Sequence, residues 1–144
     1  MPRCQMRAIV SFLGTMLTAP AVAGSSPSGL GPHDLLNVSE ALLQAYNARD
    51  AGAVRGLLAP SLQATHSVED IVLLLGRCRG MTHDIERLSI PSWGARHYGF
   101  FGVYGETLVL DMILEIDENA KIIHWVITDD VTSKEQQCVV TTRE

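Results

Sequence analysis

The sequence contains few cysteines, few aromatic residues and no apolar run long enough to cross a membrane, and each shortage excludes a class of protein. Three of the 144 residues are cysteine and 6% are aromatic. The most apolar stretch, residues 8–17, covers about half of the roughly 20 residues that a membrane-spanning helix requires. Disulfide-rich scaffolds and transmembrane proteins are therefore excluded. The lack of a Cys-x-x-Cys motif or of paired histidines argues against a zinc site.

Positive charge is scarce as well. The chain has 11 Lys and Arg against 16 Asp and Glu, a net charge of −5 at pH 7, and the basic residues form no stripe. Neither a nucleic acid nor an anionic membrane is therefore expected as a partner. Gly99, Gly102 and Gly105 come close together, but no helix follows them, so they predict bends in a sheet rather than a phosphate-binding loop. We expect no cofactor and no metal ion.

The first 23 residues have the three zones of a cleavable signal peptide. Arg3 and Arg7 supply a positive start, residues 8–17 an apolar middle, and Ala-Val-Ala at 21–23 a cleavage site before Gly24. Cleavage removes two arginines and no acidic residue, which takes the net charge from −5 to −7. The sequence thus predicts an exported chain, periplasmic or secreted, with no membrane insertion after cleavage.

Cleavage also removes Cys4 and leaves two cysteines, Cys78 and Cys138. In an oxidising compartment an isolated pair of cysteines is a candidate disulfide. The alternative is that Cys78 is a small buried residue and Cys138 lies unlinked in a loose tail. Both remain open at this point, because the sequence does not give the Cα separation that a disulfide requires.

Behind the leader, the sequence predicts a flexible lead-in over 24–33, one domain over 34–131 and a C-terminal tail over 132–144. The lead-in is rich in Gly, Ser and Pro, which favour irregular backbone. The remaining length is enough for a single hydrophobic core.

The first part of the domain has apolar residues at three- and four-residue spacing, which is typical of helices that bury one face. Three helices are predicted, each with capping residues near its start. The first begins at Asp34, and the second spans 51–58 behind Asp50. The third follows the capping box Ser67-x-x-Asp70 and has Gly80 as its stop signal. The apolar face of the third helix includes Cys78.

After Gly80 the hydrophobic period changes from 3.6 to 2, which predicts strands. Four strand-like stretches are separated by turn residues, at 83–92, 96–104, 106–117 and 121–130. Helices first and strands afterwards indicate an α+β fold, in which three N-terminal helices pack on one face of a curved antiparallel sheet of about four strands.

The last two strands assign residues to the two faces of that sheet. If the turn at 117–120 closes the hairpin symmetrically, Met112 lies opposite Trp125 and Leu114 opposite Ile123. Their apolar residues then share the inner face, against the helices. The outer face would carry Thr107, Val109, Asp111, Ile113 and Glu115 from one strand and Ile122, His124, Val126 and Thr128 from the other.

A ligand pocket is predicted between the inner face and the helices. Its walls would be Tyr46, Tyr98 or Tyr104, Met112, Trp125 and Ile127, with Asp129 at its mouth. This surface suits a small apolar ligand, and the same residues also suit a filled core. Asp129 is the one catalytic candidate, since a carboxylate among apolar walls can act as an acid or base. The alternative is that Asp129 simply ends a strand in water.

On the outer face, His124 would lie diagonal to Asp111 and Glu115. A carboxylate and an imidazole can form a general base, but this face offers no pocket that excludes water. A solvated or interfacial charge pair is therefore the expected role. Apolar residues such as Ile113 and Val126 among these charges suit a homodimer contact.

The order of these segments resembles the NTF2-like (SnoaL-like, cystatin-related) α+β cone. The resemblance covers most of residues 34–130. It implies a conical pocket between sheet and helices, and frequently a homodimer through the outer face of the sheet. Enzymes of that family place Asp, His, Tyr or Arg in the pocket, but no such constellation matches here. The segments that carry the resemblance are AYNARD at 45–50, LLAP at 57–60, SVEDIVLLL at 67–75 and LEIDENAKIIHWVI at 114–127.

Three functional hypotheses follow. The leading one is an exported, non-catalytic domain that binds a small apolar ligand or a protein partner in the cell envelope. The second is a small-molecule isomerase or lyase that uses Asp129, together with a tyrosine. The third is a structural assembly module that acts through the outer face of the sheet.

Overall fold

The computed structural model describes residues 29–92 and 94–142. The predicted signal peptide over 1–23, and the first half of the lead-in, lie outside the described residues. Four helices come first within them: α1 (Asp34–Asn47), α2 (Ala51–Leu57), α3 (Pro60–Thr65) and α4 (Val68–Thr82). Six strands follow: β1 (Ile85–Leu88), β2 (Gly94–Ala95), β3 (Tyr98–Gly105), β4 (Val109–Ile116), β5 (Ile122–Thr128) and β6 (Cys138–Thr141).

The strands form one open antiparallel sheet in the order β1-β3-β4-β5-β6, and the short β2 also pairs with β3. The α+β class predicted from the sequence is confirmed. The predicted counts of three helices and about four strands were too low, because α3, β2 and β6 are short elements with weak periodicity. No helix in the described part of the chain is long and apolar enough to span a membrane.

The predicted capping residues are confirmed at the starts of α2 and α4. The predicted cap of α1 was wrong, because α1 begins after His33, whose side chain makes no capping hydrogen bond. The Asp50 carboxylate accepts a hydrogen bond from the Ala53 amide (2.9 Å), and Ser67 forms the predicted capping box with Asp70 at the start of α4. Hydrogen bonds from the Ser67 backbone and hydroxyl lower the pKa of the Asp70 carboxyl. The predicted stop at Gly80 was wrong. The helix continues to Thr82, and it ends at His83, whose backbone has a positive φ (54°).

Pro60 begins helix α3. Pro60 follows the predicted end of the second helix at residue 58, and it occupies the first turn of a separate helix that the sequence did not predict. Proline suits that position, because its missing N–H would have no partner in the first turn of a helix. Just before it, the Ala59 amide donates to the Ile122 carbonyl oxygen (2.8 Å), which ties this connection to the sheet.

Of the two alternatives left open for Cys78 and Cys138, the structure shows the disulfide. The two cysteines form a disulfide that joins α4 to β6, with a Cα–Cα distance of 4.8 Å. Strand β6 lies within the segment that the sequence analysis treated as a tail, and it pairs with β5 from His124–Thr141 to Ile127–Cys138. The tail thus forms the last strand of the sheet, covalently attached to the helix layer.

The predicted register of the β4–β5 hairpin was wrong by two residues. Leu114, not Met112, lies opposite Trp125, and Met112 lies opposite Ile127. The turn closes one residue later than expected, with the Asp117 amide donating to the Lys121 carbonyl oxygen (2.8 Å). An irregularity next to Glu115–His124 adds the second residue. A shift of two keeps most side chains on their predicted face, but the bulge brings Ile122 onto the inner face in place of Ile123.

Candidate functional site

The inner face of the sheet and the helices enclose the hydrophobic core. Phe101 and Val103 of β3 and four residues of β4 alternate inward, and all are buried. They pack against α1, α2 and α4 in one continuous cluster. The four residues of β4 are Leu110, Met112, Leu114 and Ile116.

Four of the predicted pocket residues come together in this core. Tyr46, Met112, Trp125 and Ile127 line a single cavity between α1, β1, β4 and β5. The cavity measures about 10 Å³, which is close to the minimum for one water molecule. Ligand pockets are typically about 300–1,000 Å³, so the side chains here fill the space as a core.

The two other predicted pocket residues lie elsewhere. Tyr98 is half-buried beside the start of α1, in an open cleft with Leu35 and Arg96. Asp129 is exposed just after β5, in a polar cleft formed with the 130–137 segment. Tyr104, the alternative wall residue, lies on the outer side of β3 under the Arg87 guanidinium, which is 3.5 Å from the ring centroid. The carboxylate proposed as an acid or base is therefore separate from the apolar cavity.

Tyr46 is the polar centre of the cavity wall. Its hydroxyl lies 2.6 Å from the Thr82 hydroxyl, and both side chains are buried. The Thr82 hydroxyl donates its hydrogen to the His83 carbonyl oxygen (2.8 Å), so the Tyr46 hydroxyl must be the donor in the shared bond. Burial raises the pKa of the Tyr46 phenol above its ordinary value. Tyr46 is thus held neutral and already hydrogen-bonded, which suits a structural role.

Two other polar groups border this core. The Trp125 ring meets the Tyr46 ring edge to face, 6.1 Å between centroids, and its Nε1 is buried with no hydrogen-bond partner among the described residues. The Arg79 guanidinium lies 5.8 Å from the Tyr46 centroid and forms an ion pair with Asp84 (2.6 Å). That hydrogen bond lowers the pKa of the Asp84 carboxyl.

The outer face of the sheet carries an ordered pattern that the pairing registers define. Phe100, Ile113, Val126 and Val139 lie directly beside one another across four strands and form a continuous apolar row. We call this set the outer row. Val126 is only 5% exposed, yet neither it nor the rest of the row belongs to the core cluster under the helices.

Charged and polar residues lie on both sides of the outer row. On one side, Glu115 pairs with His124 directly, not diagonally as predicted, because of the two-residue change in register. Tyr98 and Thr141 extend that polar row on β3 and β6. On the other side Asp111 lies opposite Thr128. A mixed surface of this kind is typical of the buried centre and polar rim of a protein interface.

Sequence reasoning identified Ile113 and Val126 on this face but missed Phe100 and Val139. The sequence predicts no register for β3, and it places the β6 segment in a C-terminal tail. A usable signal was present in the Cys-Val-Val-Thr run at 138–141, because β-branched residues next to a cysteine that must reach the core favour a strand.

The open clefts among the described residues offer no candidate site better than the outer face. One open cleft, of about 690 Å³, lies between Leu30, Arg96, His97 and the Asp117–Glu118 turn. There Arg96 donates a hydrogen bond to the Leu30 carbonyl oxygen (3.2 Å). Within residues 29–92 and 94–142, no group of three or more His, Cys, Asp or Glu side chains is arranged to hold a metal ion.

Comparison with known proteins identifies no relative of this chain. No protein-family model matches the chain, no curated protein matches it, and no solved structure matches it.

Proposed function

We propose that this chain is an exported, non-catalytic assembly domain whose outer sheet face binds a second copy of the chain. The outer row is the observation that carries the proposal. An antiparallel sheet with one solvated face normally alternates apolar-in and polar-out residues. Here four apolar residues lie together on the face opposite the helices; Val126 is buried and the other three are half-buried. A contiguous apolar row on the face away from the core is typical of an interaction site.

The face is complementary to itself. A two-fold axis that runs parallel to the strands, between β4 and β5, exchanges these two strands and also exchanges β3 with β6. Each row then faces the same row of the other copy. In this arrangement Ile113 meets Val126 of the second copy, and Phe100 meets Val139. Sheets that pack face to face in this way are typically rotated by about 30°.

Charge supports the same axis. It brings Glu115 of one copy next to His124 of the other, twice by symmetry, and it brings Asp111 next to Thr128. The alternative axis, which runs along the outer row, would bring Asp111 next to Glu115 and oppose two carboxylates. Like charges across an interface cost several kcal/mol, so the axis parallel to the strands is favoured.

Sedimentation velocity over a concentration series tests this proposal. The purified chain is expected to form dimers, and Ile113→Lys is expected to weaken them at least roughly 30-fold, because a charge at the centre of the row cannot be paired. Ser61→Lys, on the exposed surface of α3, is the matched control and should leave association unchanged. Circular dichroism of both variants checks that they fold. A wild-type chain that stays monomeric would contradict the proposal.

The exported state rests on two features: the three-zone leader and the Cys78–Cys138 disulfide, a bond that persists in oxidising compartments. We expect the mature chain to begin at Gly24. Intact-mass spectrometry of the protein produced in cells, with and without reductant, measures both the cleavage and the disulfide. A full-length mass that retains Met1, or two free thiols without reductant, would count against export.

A small apolar ligand is the second candidate function, and Trp125 is the observation that favours it. Its buried Nε1–H lacks an acceptor, and an unsatisfied donor costs stability that a ligand oxygen would recover. The half-buried Leu43 and Leu88 at the edge of the cavity would have to move to admit the ligand. Isothermal titration calorimetry with small ketones and with hydrocarbons of equal size, on the wild type and on Trp125→Phe, tests this. Ketones should bind the wild type more tightly than the hydrocarbons do, and Trp125→Phe should remove that difference. Equal affinities in the wild type, or a difference that persists in Trp125→Phe, would contradict this candidate.

A further inference from the structure

Helix α4 presents a second surface that its own domain does not cover. Its buried residues lie along one side, and the opposite side is centred on Leu73, whose side chain is 63% exposed. Val72 beside it is 55% exposed. Two adjacent apolar residues this exposed on one helix are unusual for a surface that faces only water.

Charge is arranged symmetrically about Leu73. Glu69 lies four residues before it and Arg77 four residues after it, so all three fall on one face of the helix. Glu69 and Arg77 are separated by eight residues, roughly 12 Å along the helix axis. Both are exposed, and the Arg77 Nε–H donates to the Gln137 carbonyl oxygen (3.3 Å), which directs this side chain along the surface next to Leu73.

We infer that the outward face of α4 binds the same face of a second copy, with the two helices antiparallel and Leu73 on the two-fold axis. This axis brings Glu69 of each copy alongside Arg77 of the other and brings the two Leu73 side chains together. A parallel arrangement would instead oppose Glu69 to Glu69 and Arg77 to Arg77. The charge pattern therefore selects a second copy in one orientation.

Gly76 and Gly80 would allow the two α4 helices of such a dimer to approach each other closely. Both lie on the outward face, and a Cβ atom at either position would meet nothing within 4 Å. Glycine destabilises the interior of a helix relative to alanine, so its presence at two exposed positions has no advantage within the isolated domain. Against a second helix, the missing side chains let the two backbones come closer together.

The α4 surface borders the β6 edge of the outer face, where Leu73 and Val139 line one cleft. Ile113 lies two strands away on β4, so the experiment is performed on the Ile113→Lys variant. Sedimentation velocity of this variant is expected to show dimers at high concentration. A further Leu73→Lys change should weaken them roughly 30-fold, since Leu73 is the buried centre of the contact. An Ile113→Lys protein that is monomeric throughout the series overturns the inference and leaves the proposed function intact.

Charge reversal tests the orientation. Glu69→Arg alone and Arg77→Glu alone should each weaken the dimer about tenfold, since each change opposes like charges at two symmetric places. The double variant should recover to within about threefold of the parent. Glu40→Arg, on the exposed surface of α1, controls for net charge. Failure of the double variant to recover, or an equal loss with Glu40→Arg, overturns the antiparallel arrangement.

Discussion

The two faces of the sheet carry similar apolar residues but differ in what covers them. On the inner face, Leu114 and Trp125 lie beneath the helices and are at most 1% exposed. On the outer face, the neighbouring Ile113 is half-buried and Val126 is 5% exposed, and neither belongs to the core cluster under the helices. Burial within one chain explains the first set completely. The second set lowers the free energy of the isolated domain less, and this difference indicates a role in association.

The largest expected effect on stability comes from removing the disulfide that joins α4 to β6. Replacing both cysteines, Cys78→Ser with Cys138→Ser, opens a loop with a sequence separation of 60 residues. The free energy of unfolding should fall by about 4 kcal/mol on the chain-entropy model. Urea denaturation of the oxidised wild type and of the double variant measures it. A loss below about 1 kcal/mol would show that β6 is held by strand pairing alone.

The next effect contrasts adjacent residues of β4. Leu114→Ala should lower the free energy of unfolding by about 3 kcal/mol, because a fully buried side chain leaves a cavity. Ile113→Ala should cost less than about 1 kcal/mol when measured at concentrations where the chain is monomeric. Equal losses in the two variants would mean that the outer row already packs within the domain.

A smaller effect involves the Tyr46 hydroxyl. Tyr46→Phe removes its hydrogen bond to Thr82 and should cost about 1 kcal/mol at neutral pH. Burial raises the pKa of the folded phenol, so the unfolded chain ionises first as the pH passes 10.0. Wild-type stability should therefore decline above that pH more steeply than that of Tyr46→Phe. Parallel denaturation series from pH 8 to 11 would reveal this, and identical slopes would argue against the burial of Tyr46.

The sequence predicted the inner face better than the outer one. The hydrophobic period predicted α1, α2, α4 and four strands, because each has a clear apolar pattern, and capping residues predicted the starts of α2 and α4. Predicting the disulfide requires the Cα distance between the two cysteines, and predicting the β4–β5 register requires the position of the bulge at Ile123. A hydrophobic pattern reveals neither. The outer row needs the lateral alignment of four strands, so it emerges only once the pairing of β3 and β6 is known.

Cross-linking tests the outer-face dimer most directly. Ile113→Cys and Val126→Cys proteins, each retaining the native disulfide, are mixed and treated with a short bifunctional thiol reagent. The account predicts cross-linked dimers in the mixture and in each protein alone, at clearly higher yield than in a control variant, because the two-fold axis between β4 and β5 brings residues 113 and 126 of both copies together. Yields in the mixture no higher than in a Thr107→Cys control, which lies in the exposed turn before β4, would contradict it.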